Sequence, residues 1–157
     1  MFIREIEEKD NRQIEKLIKE SLESVSLDRE GTAYYDPQLP RLSQYYSSIQ
    51  DGSYWIAVEG EEVVGGIGIA PYVKEKGICE LQKFYVHQDY QGKGIGRKLL
   101  RTALEFAERK YNQCYLETRH ELKQANKLYE QNDFTLLPSP IEGSDHSFMD
   151  RWYIVDL

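Results

Sequence analysis

The run Cys79-Glu80-Leu81-Gln82-Lys83-Phe84-Tyr85-Val86-His87-Gln88-Asp89-Tyr90-Gln91-Gly92-Lys93-Gly94-Ile95-Gly96-Arg97 decides how this chain is read. Ile78 to His87 reads as a strand and Gln91 to Gly96 as a glycine-rich turn. Ile95 to about Lys110 reads as a helix, with Leu99, Leu100, Ala103, Phe106 and Ala107 at helical spacing. A helix N-terminus exposes unpaired N–H groups and carries partial positive charge. Glycines let those groups approach an anion with no Cβ in the way. A phosphate or pyrophosphate therefore fits at this turn. Two familiar phosphate loops do not match. The run ends Gly96-Arg97-Lys98-Leu99, without the Lys-Ser/Thr pair of a P-loop, and GxGxG replaces the GxGxxG of a dinucleotide fold. The pattern present is QxxGxG, on Gln91, Gly94 and Gly96.

Working outward, Phe2 to Ile6 alternates like a short strand, and Asp10 stands where it can cap a helix running to about Val25. Residues 26 to 44 are irregular, and a short helix follows near Leu42 to Ile49. Tyr54 to Glu59 and Val63 to Ala70 form a hairpin about Glu59-Gly60-Glu61. Gly65, Gly66 and Gly68 inside the second strand predict a bulge or a close backbone approach. Beyond the central helix come a strand at Gln113 to Thr118, a helix at Leu122 to Gln131, and closing strands at Phe134 to Leu137 and Arg151 to Leu157. This order predicts a mixed α/β (α+β) sheet with helices packed on it. No repeat, linker or low-complexity tract divides the chain, so residues 1–157 are expected to form a single domain.

Composition narrows the function. With 20 Lys and Arg against 27 Asp and Glu, the net charge is −7, which argues against nucleic acid as a partner. No stretch approaches the roughly 20 apolar residues of a membrane span, and no secretory leader is recognisable, so a cytoplasmic location is expected. Cys79 and Cys114 form no CxxC pair and read as buried, reduced thiols. No His, Cys or Asp cluster has metal-ligand spacing, so no metal is expected.

The strand, turn and helix resemble the coenzyme A signature of the GNAT superfamily of N-acetyltransferases, and the order of elements matches that family. The resemblance implies a mostly antiparallel central sheet of six to seven strands flanked by about four helices, with acetyl-CoA as co-substrate. It implies that Gln91, Gly92, Lys93, Gly94, Ile95, Gly96 and Arg97 hold the pyrophosphate, while Phe84, Tyr85 and Val86 hold pantetheine through backbone bonds. Ala125-Asn126-Lys127-Leu128-Tyr129-Glu130 and Phe134 resemble the family's closing motif, with Asn126 and Tyr129 facing the cofactor. Asp133 departs from the family's usual glycine before Phe134, but Asp tolerates a left-handed backbone better than most residues. Many members dimerise, so a homodimer is compatible with the resemblance.

Acetylating an amine requires removing its proton, polarising the thioester carbonyl and protonating the departing thiolate. Tyr129, a phenol protonated at neutral pH, is the candidate acid. The Val86 N–H, freed by a strand bulge, is the candidate carbonyl donor. Glu80, eleven residues before Gln91 and in the register of the catalytic glutamate of the family's histone-acetylating branch, is the candidate base. His146 and Asp150 are the other candidates, with His87 and His120 ranking lower. Tyr34, Tyr35, Tyr45, Tyr46 and Trp55 are expected to line the acceptor pocket. The predicted activity is acetyl transfer to a primary amine of a small molecule or peptide by direct attack in a ternary complex. The competing reading is a module that binds acyl-CoA without turnover. Polyamine, amino acid, aminoglycoside, peptide N-terminus and protein lysine all stay open as acceptors.

Overall fold

A computed structural model describes residues 1–144 and 146–157. Its strands are β1 (Phe2–Glu5), β2 (Ser53–Glu59), β3 (Glu62–Val73), β4 (Ile78–Val86), β5 (Gln113–Thr118), β6 (Thr135–Leu137) and β7 (Arg151–Asp156). Its helices are α1 (Asn11–Glu23), α2 (Leu42–Ser47), α3 (Ile95–Glu108) and α4 (Lys123–Gln131), with short 3-10 turns between elements. The strands form one sheet in the order β1-β2-β3-β4-β5-β7-β6. Every neighbouring pair is antiparallel except β4–β5. No helix among the described residues is long and apolar enough to cross a membrane.

Alternation along β2 separates the two faces. Tyr54, Ile56 and Val58 pack with Ile14, Ile18 and Leu22 of α1 and with Leu42 and Tyr46 of α2. Trp55 and Ala57 pack with Leu99, Leu100 and Ala103 of α3 and with Tyr129 of α4. α1 is helical because Ile14, Leu17, Ile18 and Leu22 form one buried stripe. Asp10 occupies its N-cap position without capping it. Its carboxylate instead accepts from the Glu7 N–H (2.8 Å) and forms a two-point pair with Arg4 (2.8 and 3.0 Å). The charge-assisted pair outcompetes the cap.

Two features of the sheet build the site. The first is a parting of strands. β4 pairs with β5 only at Ile78, Cys79 and Glu80, facing Gln113, Cys114 and Tyr115, so Leu81 to Val86 have no β5 partner. The second is a bulge. Gly66 pairs with Tyr85 and Gly68 with Gln82, leaving Lys83 and Phe84 opposite Ile67 alone. Lys83 takes a left-handed backbone (φ 48°), which is strained for a residue with a side chain. The glycines of β3 make this geometry reachable. A Cβ on Gly66 would lie 2.5 Å from the Tyr54 hydroxyl, and one on Gly68 2.7 Å from the Tyr46 hydroxyl. With those faces bare, Tyr54 reaches across and donates to the Lys83 carbonyl (2.7 Å), while Tyr46 donates to Gln82 Oε1 (2.6 Å).

Candidate active site

Beyond Glu80 the separating strands open a groove of about 1150 Å³, walled by Phe84–Val86, the turn from His87 to Gly92, the start of α3, and one face of α4. The turn is shaped for an anion. Gly92 (φ 79°) and Gly94 (φ 82°) are left-handed, and a Cβ on either would meet nothing within 4 Å. Gly94 is the N-cap of α3, so the unpaired N–H groups of the first turn open onto that space. Gln91 Nε2 donates to the Val86 carbonyl (3.1 Å), tying the turn to the end of β4.

Gly96 has a different role from its neighbours. A Cβ there would touch Leu128 and Phe84 at 3.5 Å and Val86 at 3.7 Å, so this glycine lets α3 approach β4 and α4 closely. Lys93 does not line the groove; its Nζ lies 5.1 Å from the centre of the Tyr90 ring. Asn126 is buried beside the groove without lining it. Its Nδ2 donates to the Arg119 carbonyl (2.9 Å), and its Oδ1 is a buried acceptor without a partner among the described residues. No pattern in the sequence marks the groove's wall on α1 and just beyond it, which includes Leu17, Ser21 and Val25. Those positions read only as an amphipathic helix.

The expected freeing of the Val86 N–H has a cause other than the one anticipated. The bulge falls at Lys83 and Phe84, and Val86 remains opposite Gly65. The His87 N–H donates to the Val64 carbonyl (2.8 Å), which makes Val86 and Gly65 a pair without mutual hydrogen bonds. The Val86 N–H therefore points to the other edge of β4, where β5 has departed.

Phe84, Tyr85, Leu122 and Ala125 wall both the groove and a second, smaller cavity of about 90 Å³. Glu80, Glu117, Lys83, His146 and Tyr129 line this cavity. Glu80 Oε1 accepts from Gln82 Nε2 (2.6 Å). Burial pushes its carboxyl up to about 7; the Gln82 bond opposes the rise and neighbouring Glu117 adds to it. Tyr129 is buried among Phe84, Phe134 and Tyr153, and burial pushes its phenol far above the ordinary value. Its hydroxyl has no hydrogen-bond partner among the described residues.

The two other candidate bases are already committed. His146 Nε2 lies 2.9 and 3.0 Å from the Asp36 oxygens. Burial would depress its pKa, but the bond and charge of Asp36 outweigh that and raise it. Asp150 lies outside both cavities and accepts from the His120 N–H (2.9 Å). Burial would raise its pKa, but His120 and Arg119 hold it below the usual range. The fold also gathers His120, Glu121 and Asp150 within 4.8 Å, a metal-ligating combination that chain spacing did not reveal. The Arg119 guanidinium lies on the same two carboxylates, at 3.0 and 3.5 Å, so the cluster is an ion-pair network.

None of the five aromatic residues expected in the acceptor pocket lines the small cavity. Trp55 points to the opposite face and packs edge-on against Phe106. Tyr34 donates to Glu23 (2.6 Å), Tyr35 is exposed, and Tyr45 packs beside the α1–α2 core. Tyr46 acts at one remove, through Gln82.

This architecture and its sequence define an acyltransferase of a known family. Residues 13–134 match the acetyltransferase (GNAT) family, and the chain belongs to it. It is 43% identical over 129 residues to a protein of Escherichia coli (strain K12) described as the uncharacterized N-acetyltransferase YjgM, covering 80% of this chain and 76% of that one. An acetyltransferase of the GNAT family from Staphylococcus aureus Mu50 superposes with a TM-score of 0.83 at 22% identity, covering 99% of this chain and 98% of that one. PaiA N-acetyltransferase from Thermoplasma acidophilum, solved in complex with coenzyme A, superposes with a TM-score of 0.76 at 19% identity over 99% and 98% of the two chains. These two structural likenesses concern the fold.

Proposed function

We propose that the chain is a cytoplasmic, single-domain N-acetyltransferase that moves the acetyl group of acetyl-CoA to a primary amine by direct attack in a ternary complex. One observation carries this reading: the open groove at the glycine turn meets the carboxylate-lined cavity at Phe84, Tyr85, Leu122 and Ala125, which wall both. Acetyl-CoA supplies the activated thioester, and the residues present fit it. The bare left-handed turn at Gly92 and Gly94, with the first-turn N–H groups of α3 and Arg97, suits the pyrophosphate. The unpaired edge of β4 from Phe84 to Val86 offers backbone donors and acceptors to an extended pantetheine. Asn126 lies beside the groove, and its partnerless Oδ1 would reach a pantetheine amide by a turn of the side chain.

At the junction, Glu80 takes the proton of the acceptor ammonium, its raised carboxyl being matched to work near neutral pH. The Val86 N–H stabilises negative charge on the acyl oxygen. The neutral amine attacks the acyl carbon to form the C–N bond, and the C–S bond breaks as the adduct collapses. The Tyr129 hydroxyl donates its proton to the leaving sulfur, and the second proton shed by the amide nitrogen restores the Tyr129 phenol. Direct attack is supported by the cysteines. Cys79 and Cys114 are buried and line neither cavity, so no thiol among the described residues stands ready to carry the acyl group.

The test is CoA release from acetyl-CoA across a panel of amines, with both substrates varied. Intersecting initial-rate lines are expected. Parallel lines would contradict direct attack, and acetyl-CoA binding without release with any amine would mark a binding module instead.

A further inference from the structure

We infer that the acceptor is a small amino acid held by both of its charges, with Glu80 and Glu117 receiving its ammonium and Lys83 and His146 its carboxylate. This deepens, and rests on, the acetyltransferase reading above.

The small cavity gathers charges of both signs. Glu80 and Glu117 stand on one face of β4 and β5, because Glu80 is in register with Tyr115, two residues before Glu117. All their hydrogen-bond donors are neutral: Gln82 for Glu80, and the Tyr115 (2.8 Å) and Ser144 hydroxyls for Glu117. Neither has a cationic partner in ion-pair contact among the described residues. Two adjacent, half-buried carboxylates with only neutral hydrogen-bond donors gain from an arriving cation. A primary ammonium supplies that charge and presents the amine beside Glu80.

Two cationic side chains line the same cavity. Lys83 Nζ lies 2.7 Å from Asp36 Oδ2, and His146 Nε2 bonds the same carboxylate. One anion thus serves two cationic side chains, and the raised pKa of His146 keeps it able to carry charge near neutrality. The Lys83 side chain is only 3% exposed and grows from a left-handed bulge. A lysine in so strained and dry a place is held there by the structure around it. With Lys83 and His146 sharing Asp36, and Glu80 within electrostatic reach of both, a further carboxylate there would meet two cations.

Size selects the class. About 90 Å³ is well below the roughly 300 Å³ at the lower end of drug-sized pockets, and suits the head of one amino acid. A polyamine or aminoglycoside brings more than one cation and would leave Lys83 and His146 facing another positive charge.

The experiment measures kcat/KM for CoA release with the twenty amino acids and β-alanine, then compares the best of them with its own amide and its decarboxylated amine. The amide and the amine should each be at least about 10²-fold poorer, the cost of leaving a buried charged site unpaired. Lys83→Met and His146→Gln should each shrink that ratio, mainly through KM. If Lys83→Met fails to fold, the wild-type ratio and His146→Gln decide the matter. Amides or simple amines turned over as well as the amino acid would overturn the inference. So would the absence of turnover with every amino acid while acetyl-CoA binds in calorimetry. Failure to bind acetyl-CoA would instead sink the acetyltransferase reading itself.

Discussion

The two cavities that meet at Phe84 and Tyr85 are built from different materials. The groove of about 1150 Å³ is shaped by backbone: an unpaired strand edge, two bare left-handed glycines and the start of a helix. The cavity of about 90 Å³ is shaped by charged side chains brought from β4, β5 and the two loops that carry Asp36 and His146. A site made of backbone tolerates change in its side chains but not in its glycines. A site made of side chains depends on each identity. If the groove takes the donor and the small cavity the acceptor, as proposed, the donor half is the general part of the molecule and the acceptor half makes it particular.

The sharpest way to break this contrast is at Gly94. Valine there must adopt φ near 82° and extends into the open space of the turn. Gly94→Val should lose measurable CoA binding in calorimetry, while the strain costs only about 1–2 kcal/mol of folding stability. Unchanged affinity in the folded variant would remove the anion-cradle reading. Gly96→Val makes a useful partner, because its Cβ meets Phe84, Val86 and Leu128. It should loosen the packing of α3 as well as narrow the groove.

Glu80→Gln keeps the shape of the acceptor side and removes its basicity. Turnover should fall by roughly 10²–10³-fold, with CoA affinity retained. Tyr129→Phe should cost up to about 10²-fold in kcat. It should cost little stability, since the hydroxyl bonds nothing else among the described residues. A Tyr129→Phe enzyme with full turnover would make the ring a packing element only.

The smallest effect concerns the clasp between the two loops. Burial opposes ionisation of both Asp36 and His146, but the His146 bond and the Lys83 and His146 charges hold Asp36 low, and the Asp36 bond and charge hold His146 high. The Asp36 contribution is present above the usual carboxylate range and is lost as pH falls through its lowered value. The His146 contribution is complete below its unfolded value and is lost as pH rises through its raised value. His146→Gln should therefore destabilise most near about pH 5.5, between the two unfolded values. The cost should be on the order of 1 kcal/mol, or roughly 2–4 degrees in Tm. The difference should shrink at pH 9, which parallel melts at the two pH values will show.

The donor half was readable because its parts are contiguous. β4, the turn and α3 follow one another from Ile78 to Glu108, and each announces itself by alternation, glycine or helical spacing. The acceptor half is assembled from residues as far apart as Asp36 and His146, and no local pattern links them. The errors share that origin. Asp10 resembles a cap in the sequence because no local pattern shows the competing Arg4 guanidinium beside it. Trp55 resembled a pocket residue, but the parity of β2 relative to α3 sends it to the other face. The glycines of β3 foretell the bulge, and the register puts it opposite Ile67, at Lys83 and Phe84, where Tyr54 pins the Lys83 carbonyl, and not at Val86. Lys83 carried no signal at all, since nothing in its neighbours foretells a buried lysine. Asp133 is the converse case: the departure from glycine was visible, and the backbone there is left-handed at φ 68°.

If Glu80 takes the acceptor's proton at the junction of the two cavities, the pH dependence of kcat/KM for the acceptor shows it most directly. The wild-type rate should rise with pH through an inflection near 7, where the buried Glu80 carboxyl loses its proton. In Glu80→Gln that inflection should vanish, and the deficit should narrow as pH rises and more amine arrives already deprotonated. Parallel profiles for the two enzymes across the same range would contradict the assignment.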